Sequence, residues 1–360
     1  MSQVAITDEH ISTPHRPQGR VFSKFWQWEY WPFNLLYAPI IPYWIWLTIK
    51  TRSFFFFTAA NPGIEFGGML GESKEKILQT INPKFLPITV KLNEGIYRDG
   101  VLQAMKKAGL SFPIILKPDI GERGWGVEKI ADESALEEYL SAPMPSLLLQ
   151  EYIDLPVELG IFYYRKPSMH KGEITSIVKK RLLSATGDGM STIRELMKKD
   201  DRARRYEQGI VARLKNGIDH VPANGEKVEL MPIGNHAMGT AFLNANYEID
   251  AALEDVFDNI AKDIDGFYFG RFDIRCASFE ELKRAEHFKI IELNGAGAEP
   301  SHVYDPDNSL LSAYRDIIFH LGLLADISIE NMKLGMRPMG IKEGLKFIRG
   351  IRQYNKTYRP

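Results

Sequence analysis

Two short runs near the C-terminal end constrain this chain more than any other part of it: Gly270-Arg271-Phe272-Asp273-Ile274-Arg275 and Lys289-Ile290-Ile291-Glu292-Leu293-Asn294. Both read as strands, and side chains alternate faces along a strand. Arg271, Asp273 and Arg275 then share one face, Glu292 and Asn294 share one face of the second run, and the residues between are apolar and suit a core. If the two strands are neighbours, two carboxylates, an amide oxygen and a guanidinium converge on one small patch. Hard oxygen donors of that kind suit Mg2+ bridging nucleotide phosphates.

The chain has 360 residues, enough for two or more domains, and 44% hydrophobic with 25% charged residues is ordinary for a globular protein. A formal net charge of -1 gives no global basic field, so nucleic acid is not expected as a partner. The single cysteine, Cys276, rules out an intramolecular disulfide and fits a reducing, cytoplasmic setting; it follows an apolar strand and reads as a core residue rather than a nucleophile. The first residues lack the basic-then-apolar-then-small order of a signal peptide. The long apolar run from Trp31 to Leu47 is interrupted by Pro32, Pro39 and Pro42.

Residues 1–20 read as a disordered arm, and 21–84 as an aromatic-rich segment that includes Phe54-Phe55-Phe56-Phe57. The aromatics of 21–57 suit packing against the following domain, peripheral contact with the inner face of a membrane, where Lys50 and Arg52 would meet lipid phosphates, or, third, a membrane span. Ser73 reads as a helix cap, and the backbone N–H groups after it suit an anion. From residue 84 strands and helices alternate. Strands are expected over 86–92, 113–118, 147–153, 158–165 and 173–178. Helices are expected over 97–108, 134–140 (capped by Ser134), 193–199, 201–215, 251–264 and 308–324. The tail, 333–360, is basic and amphipathic. The sum is an α+β fold with mixed sheets.

Lys117 emerges from the apolar run 112–118 as a fixed charge for a phosphate. The loop that follows carries Gly121, Gly124 and Gly126, which let backbone N–H groups approach phosphate oxygens. Gln150-Glu151-Tyr152-Ile153 ends another apolar strand, where backbone groups suit an adenine edge, and Glu158 suits ribose hydroxyls.

In this order the motifs resemble the ATP-grasp superfamily over roughly residues 110–320. The resemblance implies two α/β subdomains, 85–160 and 161–325, clasping ATP between them, with the aromatic segment before and the basic tail, 326–360, after. Gly270-Arg271-Phe272-Asp273 and Glu292-Leu293-Asn294 look most like D-alanine–D-alanine ligases, which implies Asp273, Glu292 and Asn294 as ligands for Mg2+ or Mn2+ and Arg271 as the group that steadies a tetrahedral intermediate. Ser301-His302 falls where those ligases place a Ser-His pair beside the acceptor substrate. Residues 178–196, with Gly187-Asp188-Gly189-Met190-Ser191-Thr192-Ile193, and the segment 233–241 are similar to cyanophycin synthetases and bifunctional glutathione synthetases. Lys180, or Lys179 beside it, is then expected at the γ-phosphate, and Lys91 stands nearest to the additional lysine of the D-alanine ligases. The implied activity is ATP-dependent carboxylate–amine ligation through an acyl-phosphate, on small-molecule or peptide carboxylates and amines. Modification of a peptide, phosphorylation of a substrate, or membrane-associated nucleotide binding without catalysis are the alternatives.

Overall fold

The computed structural model describes residues 28–359; the arm expected over 1–20 and the first residues of the aromatic segment lie outside the described residues. The expected α+β class is the one observed. Eleven strands are described: β1 (Thr89–Leu92), β2 (Ile114–Pro118), β3 (Glu128–Ile130), β4 (Leu147–Glu151), β5 (Val157–Tyr164), β6 (Glu173–Arg181), β7 (Ser184–Thr186), β8 (Lys227–Glu229), β9 (Ala241–Asn244), β10 (Phe269–Cys276) and β11 (Phe288–Asn294). They form three sheets, ordered β1-β4-β2-β3, β11-β10-β5-β6-β9 and β7-β8, and every pairing is antiparallel.

The four-stranded sheet, the smaller of the two large ones, buries Ile114, Leu116, Leu147 and Leu149 against the helices Arg98–Ala108 and Glu133–Tyr139. Because the alternation is strict, Ile115 and Lys117 point the other way. Gly109 ends the first of these helices in the left-handed region, at φ 72°, as a C-terminal glycine should. The cap of the second is Asp132, which accepts from the Ala135 N–H, and not Ser134 as the sequence suggested. The first strand is also shorter than expected, because Pro87 holds residues 86–88 outside the ladder.

The larger sheet is covered on both faces. One face packs Phe272, Ile274, Cys276 and Ile290 onto the helix Ala251–Lys262. On the other, Phe162, Tyr164 and Phe269 meet Phe55, Phe56, Phe57 and Phe66. Along β10 that second face passes from Phe269 to Arg271, Asp273 and Arg275, so the aromatic packing stops where the charged patch begins.

The aromatic segment is a packed part of the molecule. Pro39 and Pro42 stand in the first turns of short helices, where a missing N–H costs nothing, so they start helices rather than break one. The helix Ile41–Thr51 has 11 residues, about 16 Å at ~1.5 Å per residue, against roughly 30 Å of bilayer hydrocarbon. Among the described residues no helix is long and apolar enough to cross a membrane. Leu47 and Phe55–Phe57 are buried, whereas Ile45, Trp46 and Ile49 are exposed on the outer side of that helix.

Several expected boundaries move. The division at residue 160 falls inside β5, and that at 325 falls inside the helix Leu310–Lys333, which runs past the expected end at Leu324. The helix expected over 201–215 is two, Asp201–Arg205 and Glu207–Leu214. In the tail a helix, Ile341–Tyr358, packs Phe347 and Ile348 onto the aromatic cluster, and Gly344 is needed there because a Cβ would lie 2.3 Å from the Phe55 ring.

Candidate active site

Between the two larger sheets lies a cavity of about 1240 Å³, walled by β2, the loop after it, β4, β10, β11, the 230s segment and the aromatic segment. Its polar end is built on β10 and β11. Asp273 stands opposite Glu292 and Arg271 opposite Asn294, and the register shifts just beyond Asp273. The shift leaves Ile291 without a ladder partner, as a bulge does. Its carbonyl accepts from the Lys117 ammonium at 3.0 Å, which ties the smaller sheet to the larger. Gln150 Oε1 takes a second hydrogen of that ammonium at 3.0 Å. Burial pushes the Lys117 pKa down to about 8, against the pull of Glu292.

Asp273 is buried among cations. Arg271 Nε and Nη2 donate to its two oxygens at 3.0 and 2.9 Å, Lys180 Nζ lies 3.2 Å away, and the Asn294 amide donates at 3.0 Å. Burial works against its charge, but Arg271 and Lys180 outweigh it and hold the carboxyl below the usual carboxylate range. Gly160 lies opposite Asp273 on β5, and a Cβ there would sit 3.1 Å from both Arg271 and Asp273. Lys180 faces inward, whereas Lys179 is exposed on the other side of β6.

Glu158 does not stand free for a ribose. Its carboxylate is held by Lys180 at 3.2 Å and by Arg275 at 3.0 and 3.1 Å. Arg275 also donates to the Ile153 carbonyl at 2.9 Å, so that backbone acceptor is engaged. The Glu151 N–H goes to the Ile88 carbonyl at 2.8 Å and its side chain accepts from the Ile88 N–H at 3.0 Å. Both residues line the cavity, with these backbone groups already committed.

The glycine loop closes the cavity from above. Gly121 and Gly124 line it; Gly126 does not, and packs instead on Pro118 and Met144. Gly124 sits at φ 74°, and a Cβ there would lie 2.5 Å from the Asn235 amide, so loop and 230s segment touch. The tail helix holds the loop from outside, with Tyr354 donating to the Ile120 carbonyl at 2.9 Å.

Ser301 and His302 part company. Ser301 Oγ accepts from Arg271 at 2.9 Å at the cavity edge. His302 turns away into the protein, between Ser176 Oγ at 2.7 Å and Asp316 at 3.2 Å, because a buried imidazole needs partners for both nitrogens. Gly187-Asp188-Gly189 is a structural turn away from the cavity: Asp188 accepts from the N–H groups of Met190 and Ser191, and Thr192 caps the next helix. Cys276 is fully buried, and burial pushes its thiol up to about 12.

Two residues of the cavity wall, Lys74 and Glu72, were not singled out from the sequence. Lys74, in the first turn of the helix Lys74–Leu78, lies 3.4 Å from Glu292 and donates to the Gly121 carbonyl. Lys91, expected in that region, pairs instead with Glu75 and Asp119. The anion at that helix start is Asp119 itself, which accepts from Ser73 and from the Glu75 N–H. Glu72 lines the cavity with one buried carboxylate oxygen lacking a hydrogen-bond partner, and burial raises its pKa. The glycines at 67, 68 and 71 were the available signal: Gly68 must pass against Gly295, directly after β11.

As donors for a divalent metal, Asp273 and Glu292 with the Asn294 amide supply hard oxygens from adjacent strands, and the set fits Mg2+. Among the described residues no group of three or more His, Cys, Asp or Glu gathers to hold a metal ion, so the donor set is two carboxylates and an amide.

No protein-family profile matches the chain, and no curated protein matches it. Solved structures are similar to it in part. A bifunctional glutathione synthetase from Pasteurella multocida aligns with 73% of this chain and 38% of its own, at 13% identity and TM-score 0.37. The VanG D-Ala:D-Ser ligase from Enterococcus faecalis aligns with 75% of this chain and 62% of its own, at 13% identity and TM-score 0.39. For the D-alanine–D-alanine ligase from Bacillus anthracis the values are 73%, 67%, 14% and 0.39. The chain thus spans between about two fifths and two thirds of the length of these proteins.

Proposed function

We propose that this chain is an ATP-grasp enzyme that joins a carboxylate to an amine at the expense of ATP. The observation that carries the reading is one arrangement: Asp273 and Glu292 face each other across β10 and β11, with Lys117, Lys180, Lys74 and Arg271 around them, under a glycine loop. Paired carboxylates surrounded by more cations than they need are suited to a polyanion that arrives with its own metal.

Asp273, Glu292 and Asn294 would hold Mg2+. When bound, the metal neutralises phosphate charge as the γ-phosphoryl group is transferred. Lys117, fixed by Gln150 and the Ile291 carbonyl, supplies a dry positive charge for phosphate oxygens; Lys180 and Lys74 exchange a protein carboxylate for a phosphate. A carboxylate oxygen of the substrate attacks the γ-phosphorus, the bond to the β-phosphate oxygen breaks, and ADP leaves. The amine nitrogen then attacks the acyl carbon, inorganic phosphate departs, and the amine proton is released. Arg271, with Nη1 reaching Ser301 beyond its Asp273 pair, is placed to stabilise the oxyanion of that second step. The loop at Gly121–Gly124 and the 230s segment exclude water that would hydrolyse the acyl-phosphate.

The test is ADP release from Mg-ATP with pooled carboxylates and amines, products weighed by mass spectrometry. A condensed product, lost in Asp273→Asn with the circular dichroism spectrum retained, is expected. Turnover of Asp273→Asn at the unsubstituted rate would overturn the metal assignment.

A further inference from the structure

The cavity continues well past the charged patch. Pockets for one small ligand are commonly about 300–1,000 Å³, and this one is about 1240 Å³. The polar end accounts for β2, β10, β11 and the glycine loop. Away from that end Leu36, Ile40 and Trp44 from the aromatic segment and Ile317 and Leu321 from the helix Leu310–Lys333 form an apolar limb of the wall, beside polar residues such as Glu29, His236 and His320.

The two ends are joined by consecutive contacts. Arg271 donates to Ser301 at 2.9 Å and to the Glu299 carbonyl at 3.3 Å. The Glu299 carboxylate accepts from Tyr304 at 2.9 Å and from Tyr37. Tyr37 and Tyr304 in turn pack on the cluster that contains Leu36, Ile40 and Ile317. Arg271, Ser301 and Glu299 thus line the same cavity as Leu36, Ile40 and Ile317, with Tyr37 and Tyr304 between them. A ligand confined to the polar end would leave the cavity-facing side of Leu36, Ile40 and Ile317 uncovered, although the residues pack on one another behind it.

Resting on the ligase reading above, we propose that the carboxylate substrate is an amphiphile, with its head at Arg271 and Ser301 and a long hydrocarbon chain in the apolar limb beside Leu36, Ile40 and Trp44. A short, fully polar amino acid would not fill that limb. Each methylene buried there strengthens binding roughly fourfold, so chain length is the main determinant of affinity.

Trp31 and Trp44 both line the limb, which makes a direct probe available. Bromine on a bound chain quenches tryptophan emission only at contact. The full-length protein is titrated with 11-bromoundecanoate, with undecanoate, hexanoate and acetate as competitors, and Mg-ATP binding is measured on the same preparation by calorimetry. Saturable quenching is expected, competed by undecanoate far better than by hexanoate and not by acetate. Trp31→Phe combined with Trp44→Phe should remove it, and 11-bromoundecanol, which lacks the head charge, should bind roughly tenfold more weakly. Absence of quenching in a protein that binds Mg-ATP overturns the hydrocarbon assignment alone and leaves the nucleotide reading in place. Quenching that survives in the double variant puts the bromine beside another tryptophan, Trp125 at the glycine loop or the exposed Trp46, and not in the limb, and also overturns it. Quenching without any Mg-ATP binding overturns the ligase reading and the substrate claim with it.

Discussion

Lys180 on β6 lies 3.2 Å from Asp273 on β10 and 3.2 Å from Glu158 on β5, so one buried ammonium bridges two buried carboxylates across three adjacent strands. Arg271 and Arg275 supply the remaining positive charge at the two ends of the row. Burial works against the charge of the ammonium, but Asp273 and Glu158 outweigh it and hold its pKa above the ordinary value. The row is thus a preset charge lattice; on the proposed reading, an incoming metal and polyphosphate would exchange partners with it without leaving a bare charge in the interior.

On the proposed reading, Lys117 should make nucleotide binding depend on pH. Its folded-state pKa is about 8, below the ordinary 10.5. The free protein loses this proton as the pH passes 8, and bound phosphate restores it. Mg-ATP binding is therefore expected to weaken as pH rises through about 8 and to take protons from the buffer. Calorimetry near pH 8.5 in two buffers of different ionisation enthalpy measures the uptake. For stability the sign is opposite: the unfolded chain binds more protons between about 8 and 10.5, so this group's contribution to folding rises with pH across that window.

Asn61 anchors the aromatic segment to β10. It is fully buried, donates to the Gly67 and Phe269 carbonyls at 3.1 and 2.7 Å, and accepts from the N–H groups of Tyr268 and Phe269. Asn61→Ala strands several buried backbone groups at once, and a loss of about 3 kcal/mol is expected in urea unfolding. A loss below about 1 kcal/mol would mean that this anchor is not what fixes the segment.

His302 is expected to matter for folding and not for nucleotide binding. Its ring joins Ser176 to Asp316 behind the sheet, and burial lowers its pKa despite Asp316, so the neutral ring is favoured. His302→Ala should cost about 1–3 kcal/mol of stability and leave Mg-ATP affinity unchanged. Thermal unfolding and calorimetry on one sample check both halves.

The strand faces were legible in the sequence because alternation is local. Lys117 opposite the buried Ile114 and Leu116, and Asp273 between Phe272 and Ile274, follow from period two alone. Lys74 was not legible. Its place at Glu292 depends on glycines 67 and 68 passing against Gly295, a contact made across more than two hundred residues of chain. Nor does sequence spacing tell whether a charged side chain is free: Glu158 and Arg275 satisfy each other only because β5 and β10 pair in the observed register. His302 shows the same limit from the other side, since its neighbour Ser301 faces the cavity and the 3₁₀ turn of Ser301–Tyr304 points the imidazole inward.

The most direct test of the account is Mg-ATP binding to Glu292→Gln. Glu292 has a third of its side chain exposed, and its ion pair among the described residues is a long one, to Lys74 at 3.4 Å, so its loss costs the fold little. Calorimetric titration of the unsubstituted protein with Mg-ATP should give saturable binding that EDTA removes, and Glu292→Gln should weaken it at least about tenfold with unfolding unchanged. Equal affinity in the two proteins, or binding indifferent to EDTA, would contradict a metal-bridged nucleotide at Asp273 and Glu292.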